Sequence, residues 1–139
     1  MRWLGIDYGE SRIGVAISDD LGSFAVPVKT LQRGPNTTKE ICGLLDGQGA
    51  IGIVIGLPVN MDGTLGPSAA KAKEFGAQLQ TALPTTLIRF WDERLTTVEA
   101  QKALHSAGKN AKQSRKIIDQ VAAQILLQNY LDAQAFQKG

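Results

Sequence analysis

A chain of 139 residues, 43% of them hydrophobic, is long enough to bury a proper core and is read as one domain over residues 1–139. No apolar run approaches the ~20 residues that a bilayer span requires, and the opening Met1-Arg2-Trp3-Leu4-Gly5-Ile6-Asp7 meets an acid too early for a signal peptide, so a cytoplasmic protein with no membrane contact is expected. The single cysteine, Cys42, excludes an internal disulfide, and a net charge of +2 says little about partners until its distribution is considered.

The first stretch, residues 3–9, is a short apolar strand ending on a carboxylate and a glycine. Arg12-Ile13-Gly14-Val15-Ala16-Ile17-Ser18 is a second strand, and the three residues between them suit a tight hairpin. Residues 23–32 form a third strand. Pro27 lacks a ladder donor there and places it at a sheet edge. Thr37 and Glu40 have capping-box spacing, with Thr37 as N-cap of a helix that carries Ile41, Leu44 and Leu45 on one side.

The β-branched run 51–55 is too short for a helix and reads as a strand covered on both faces. A loop follows over 58–67, rich in turn residues and long for a compact domain, which marks it as a candidate lid through Pro58, Asn60, Met61, Asp62 and Gly63. Pro67 suits the first turn of a helix with Ala69, Ala72, Phe75 and Leu79 on one stripe. A fifth strand, 85–91, runs straight into Asp92-Glu93-Arg94. Thr96 and Glu99 cap a further helix ending near Gly108. Ser114 caps the last one, where Ile118, Val121, Ala122, Ile125 and Leu126 share an arc with Asp119 at its border. The order β-β-β-α-β-α-β-α-α implies an α/β fold, a mixed sheet with helices packed on it.

Three acidic positions stand out. Asp7 ends the first strand, Asp92 and Glu93 end the fifth, and Asp119 lies about a turn into the last helix. Ligands gather at the carboxyl ends of parallel strands in open α/β sheets, and a hard divalent cation relieves the repulsion of carboxylates brought together there. Each acid also has a plain reading: a turn at Asp7 and Gly9, solvated helix-entry acids at Asp92 and Glu93, a pairing of Asp119 with Arg115 or Lys116. His105 alone offers no triad, no Cys/His set has zinc spacing, and no phosphate-binding glycine loop follows a strand. Between Glu99 and Asp119 there are no acids, while Lys102, Lys109, Lys112, Arg115 and Lys116 are all there; this is either a polyanion-binding patch or a solvated helix surface.

Four stretches together resemble the YqgF (RuvX) family. They are Gly5-Ile6-Asp7-Tyr8-Gly9 with Arg12-Ile13-Gly14-Val15-Ala16; Gly56-Leu57-Pro58 with Asn60-Met61-Asp62-Gly63-Thr64; Asp92-Glu93-Arg94-Leu95-Thr96-Thr97; and Arg115-Lys116-Ile117-Ile118-Asp119 with Ala122-Ala123. Leu65 departs from the acid, and Ser68 and Ser114 from the basic residue, that many relatives carry. The resemblance implies an RNase H-like mixed five-stranded sheet in order 3-2-1-4-5 with strand two antiparallel. It implies a metal-dependent nuclease, kin to Holliday-junction resolvases, that matures the 5′ end of pre-16S ribosomal RNA.

On that resemblance Asp7, Glu93 and Asp119 are catalytic and hold Mg2+ or Mn2+, with two ions expected. Asp92 is an outer-shell acid. Arg12, Arg94, Lys109, Lys112, Arg115 and Lys116 would face nucleic acid, RNA by preference and structured DNA as an option; support of the hairpin by packing or a salt bridge is the plainer role for Arg12, and Arg94 equally suits a pair with Asp92 or Glu99. Partners then extend to ribosomal assembly particles, with the chain a monomer or a homodimer. A DNA junction resolvase with the same acids, and a non-catalytic RNA-binding assembly factor, stand as alternatives; one lobe of this size is too little for an actin-like ATPase.

Overall fold

The computed structural model describes residues 1–96, 102 and 115–138, with only the backbone described at 115–117, 137 and 138. In chain order the elements are β1 (Trp3–Tyr8), β2 (Arg12–Ser18), β3 (Ala25–Gln32), α1 (Thr37–Gln48), β4 (Gly52–Leu57), α2 (Pro67–Ala82), β5 (Leu87–Asp92), a 3₁₀ turn (Glu93–Leu95) and α3 (Arg115–Lys138). The helix expected after Thr96, with Glu99 and His105, and the basic connector with Lys109 and Lys112, lie outside the described residues.

The five strands form one sheet in the order β3-β2-β1-β4-β5. β1–β2 and β2–β3 are antiparallel, and β4 runs parallel to both β1 and β5. This is the mixed RNase H-like sheet that the family resemblance implied. β3 is an edge strand, as Pro27 requires. The ladder also slips there: Val15 pairs with Lys29 but Ala16 pairs with Pro27, so the proline sits beside a bulge.

Side-chain alternation divides the core into two. Leu4, Ile6, Ile13, Val15, Ile17, Ile53, Ile55 and Leu57 point to the face covered by α1 and α2, where they meet Ile41, Leu45, Ala72, Phe75 and Leu79. The opposite face offers Trp3, Ala16 and Val54 to Ala123, Leu126, Leu127, Tyr130 and Leu131 of α3. That face is short of side chains. A Cβ at Gly5 would lie 2.7 Å from the Leu127 Cβ and 3.0 Å from the Ala123 carbonyl, and one at Gly14 would collide with the backbone carbonyl of Asp119. The backbone of α3 therefore lies directly on β1 and β2.

Two local expectations are corrected. Thr37 is not the N-cap but the first residue of α1: its hydroxyl accepts from the Gly34 N–H at 2.8 Å and closes the preceding turn instead. The buried stripe of α3 is rotated from the expected arc: Ala123, Leu126, Leu127, Tyr130 and Leu131 are buried, whereas Ile118, Val121, Ala122 and Ile125 are half-buried. Asp119 precedes Ala123 by four residues, which puts it on the sheet-facing stripe rather than at a border. Counting aliphatic side chains missed this, because the glycines of the sheet select the face by admitting backbone.

Candidate active site

The site lies where the parallel strands β1, β4 and β5 end. Trp3, Gly5 and Asp7 alternate with Leu4 and Ile6, so β1 turns Asp7 toward the α3 side, opposite Gly14 of β2. Glu93 follows β5 directly, and its Oε1 rests against Gly56 at the end of β4. A Cβ on Gly56 would come within 2.6 Å of that oxygen, so a side chain there would displace the carboxylate. Asp119 arrives from α3, held down by the bare strand at Gly14.

The three acids act on one another. Burial, and then the charge of Asp119, pushes the Asp7 carboxyl up to about 6. Burial raises Glu93 to about 7, with Asp7 and then Asp92 adding to the effect. Asp7 is thus the middle member, coupled to Asp119 on one side and to Glu93 on the other. Two crowded carboxyls poised near neutral pH are a hard-oxygen donor set that lacks positive charge, and a divalent cation fits it. Asp119 is already answered. Arg12 Nε donates to its Oδ2 at 2.7 Å from the neighbouring strand β2. Among the described residues no three His, Cys, Asp or Glu side chains are gathered closely enough to hold an ion together. Asp7 and Glu93 are thus coupled to each other, while Asp119, coupled to Asp7, is paired with Arg12.

The basic residues are redistributed accordingly. Arg12, read either as a phosphate contact or as a support of the hairpin through a salt bridge, binds Asp119. Arg94, read as touching a phosphate or equally as pairing with Asp92 or Glu99, closes on Asp92. Its Nε lies 3.1 Å from both carboxylate oxygens, Nη2 lies 2.7 Å from Oδ2, and the Arg94 N–H donates to Oδ1. Those bonds hold the Asp92 carboxyl below the usual range, so its charge is spent on Arg94 and on opening the 3₁₀ turn. Lys109 and Lys112 lie outside the described residues, as do the side chains of Arg115 and Lys116.

The loop between β4 and α2 is knotted on itself. The Asp62 carboxylate accepts from the N–H and the hydroxyl of Thr64, Asn60 bonds the Thr64 hydroxyl, and Gly63 takes a φ of +88° that favours glycine. Asn60, Met61, Asp62 and Gly63 are exposed, and Met61 is 89% so. Only the ends of the loop, Pro58 and Pro67, border the cleft beside the acids.

That cleft, about 250 Å³, brings in two side chains that sequence reasoning missed: Arg33 and Lys71 line it together with Tyr8, Ser68, Asp7 and Glu93. Arg33 was read only as a turn residue. The spacing of Lys71, four residues past Pro67 on α2, was the available signal for that side chain.

The family model "RuvX: Holliday junction resolvase" matches residues 1–133. The chain belongs to this family. Within it, the chain is 46% identical over 136 residues to a protein of Halothermothrix orenii, covering 96% of each. It is 47% identical over 135 residues to one of Clostridium tetani, covering 96% of this chain and 97% of that one. Both relatives carry the name "Putative pre-16S rRNA nuclease". Among solved structures, T. thermophilus RuvC in complex with Holliday junction substrate superposes with a TM-score of 0.60 at 17% identity, over 97% of this chain and 96% of that one. At that identity the likeness speaks for the fold alone. The RuvX match runs from β1 into α3 and includes Asp7, Glu93 and Asp119.

Proposed function

We propose that this chain is a divalent-metal-dependent nuclease that hydrolyses phosphodiester bonds in structured RNA and matures the 5′ end of pre-16S ribosomal RNA in the cytoplasm. One observation carries the reading: two half-buried carboxyls, Asp7 and Glu93, are driven to about 6 and 7 where the parallel strands end. Such a pair is poised to exchange its protons for a cation. Asp7 and Glu93 are the residues that would hold Mg2+ or Mn2+, with Asp119 joining once Arg12 yields it. The bound ions supply an activated water and stabilise the leaving oxygen.

The chain's own contributions are distinct from that chemistry. Asp7 bridges the other two acids electrostatically. Gly56 leaves room for the Glu93 carboxylate against β4. Arg94 pairs with Asp92 beside Glu93 and fixes that carboxylate in place. Lys109, Lys112, Arg115 and Lys116 would take the backbone phosphates of the substrate.

The test is a 5′-labelled pre-16S RNA fragment incubated with Mn2+, Mg2+ or chelator, with wild type beside Asp7→Asn and Glu93→Gln. Cutting that needs the metal and falls about a hundredfold or more in both variants is the expected result. Binding without cutting under any metal would turn the reading to a non-catalytic assembly factor. The description of the family model favours a second substrate, a four-way DNA junction. Faster cutting of such a junction than of the RNA would make that the reading.

A further inference from the structure

The cleft beside the acids does not end at Arg33. A second cavity of about 310 Å³, lined by Tyr8, Glu10, Arg33, Thr37, Thr38 and Gln78 among others, begins where the first stops. Tyr8, Glu10 and Arg33 belong to both. The two make one groove, running from Asp7 and Glu93 past the β1–β2 hairpin to the space between the start of α1 and the middle of α2.

Arg33 stands at the junction and is held there. Tyr8 stacks on Phe75 with ring centroids 4.3 Å apart, and the Arg33 guanidinium lies 4.6 Å from the Tyr8 centroid. Phe75 and Arg33 thus both pack against the Tyr8 ring. Arg33 Nη1 also donates to the carbonyls of Glu10 at 3.0 Å and Gly9 at 3.3 Å. The ion pairs among the described residues are Arg2–Asp20, Arg12–Asp119 and Arg94–Asp92, and neither Arg33 nor Lys71 is in any of them. A guanidinium has five N–H donors in a rigid fork, and its planar face accepts a stacked base. The exposed Lys71 adds a second cation on the α2 wall, and Thr38 and Gln78 add neutral polar groups further along. Glu10, exposed at the junction, is the one carboxylate lining the groove apart from the two acids of the site.

We propose that this groove seats the single-stranded RNA flank that leaves the acids, with Arg33 clamping a backbone phosphate one step from the scissile bond and Lys71 a neighbouring one. The proposal rests on the nuclease reading and deepens it: the substrate is a duplex with a single-stranded extension. Arg33 and Lys71 are positioning residues that contact the flank and leave the chemical step to the acids.

Binding and cutting are measured together on RNA hairpins carrying single-stranded tails of zero to eight nucleotides, with wild type, Arg33→Gln, Lys71→Glu and Gln78→Glu, and with Lys73→Glu on the same helix outside the groove as control. Binding is read in chelator, so it reports on the groove whether or not the protein cuts. Tails are expected to tighten wild-type binding. Gln78→Glu is expected to raise Kd and KM for tailed RNA about fivefold or more, with kcat within twofold and tail-less RNA unaffected, while Lys71→Glu is expected to weaken binding of tailed RNA at least about fivefold more than that of tail-less RNA. For Lys71→Ala the slope of log affinity against log salt should fall by about 0.7.

Arg33→Gln is read only if its melting curve matches wild type, since Arg33 also ties down the hairpin. The two α2 variants carry the test without it. Equal losses on tailed and tail-less RNA, or no loss on tailed RNA, overturn the groove. Metal-dependent cutting that persists in that case leaves the nuclease reading standing. Tail-dependent binding without any cutting would sustain the groove and sink the nuclease.

Discussion

The two faces of the sheet are built from opposite materials. Toward α1 and α2 the strands present Leu4, Ile6, Ile13, Val15, Ile17, Ile53 and Ile55, all buried branched aliphatics. Toward α3 the same strands present Gly5, Gly14, Ala16, Gly52 and Gly56, with Trp3 and Val54 as the larger groups. The first face keeps its helices at side-chain distance and stores the stability that burial provides. The second lets a helix backbone touch the strands, which is how an acid from α3 reaches an acid on β1. Stability and site geometry are therefore carried on different sides of one sheet.

The largest expected effect is on the aliphatic side. Leu79→Ala should cost about 3 kcal/mol in urea unfolding, as a buried leucine cavity does, with kcat of the folded fraction within twofold of wild type. On the glycine side Gly14→Ala should cost about 2 kcal/mol through overpacking against the Asp119 carbonyl, yet lower activity at least tenfold, because α3 must move to make room. If both variants lost activity equally per folded molecule, the division of labour between the faces would be wrong.

A pH series sharpens the comparison further. Asp7 titrates near 6 and Glu93 near 7 in the fold, against ordinary values of 3.8 and 4.5. The metal-free fold thus binds more protons than the unfolded chain between about pH 4 and 7, and its stability should fall as pH rises through that window. Asp7→Asn should remove about half of that slope and stabilise the metal-free protein by about 2 kcal/mol at pH 8, while added Mn2+ should restore wild type at the same pH. The smallest effect belongs to Arg12→Gln: about 1 kcal/mol of stability, since the Arg12–Asp119 pair is partly exposed, with a tighter Mn2+ midpoint by calorimetry because Asp119 is released to the ion. A weaker midpoint would mean that Arg12 orients Asp119 for the metal rather than holding it back.

Much of this was legible in residues alone. The β-branched run at the fourth strand, the short hairpin connection and Pro27 at an edge all follow from local rules and appear in the sheet as expected. Asp7, the Asp92-Glu93 pair and Asp119 stand out by their places at or near element ends, and the family resemblance selected Glu93 over Asp92. Arg12 and Arg94 could be named as cations but not assigned. Arg12 is separated from Asp119 by 107 positions, while Arg94 lies two residues from Asp92, and only coordinates distinguish those partners from a phosphate. Arg33 carried no pattern at all, because its role depends on the Tyr8–Phe75 stack that long-range packing creates.

By itself the sequence determined the elements, their order and the acids at their ends, because period, turn chemistry and capping act over a few residues and leave their mark in composition. Even there Thr37 was misread, since a hydroxyl at capping-box spacing was claimed by the turn before it. Tertiary structure alone decided which side of α3 meets the sheet, that Asp119 lies over Gly14, that Arg12 neutralises it, and that Arg33 lines the cleft beside the acids. Those outcomes depend on backbone approach and on competition among charges brought together in space. Neither leaves a local signature when the residue that permits the contact is a glycine.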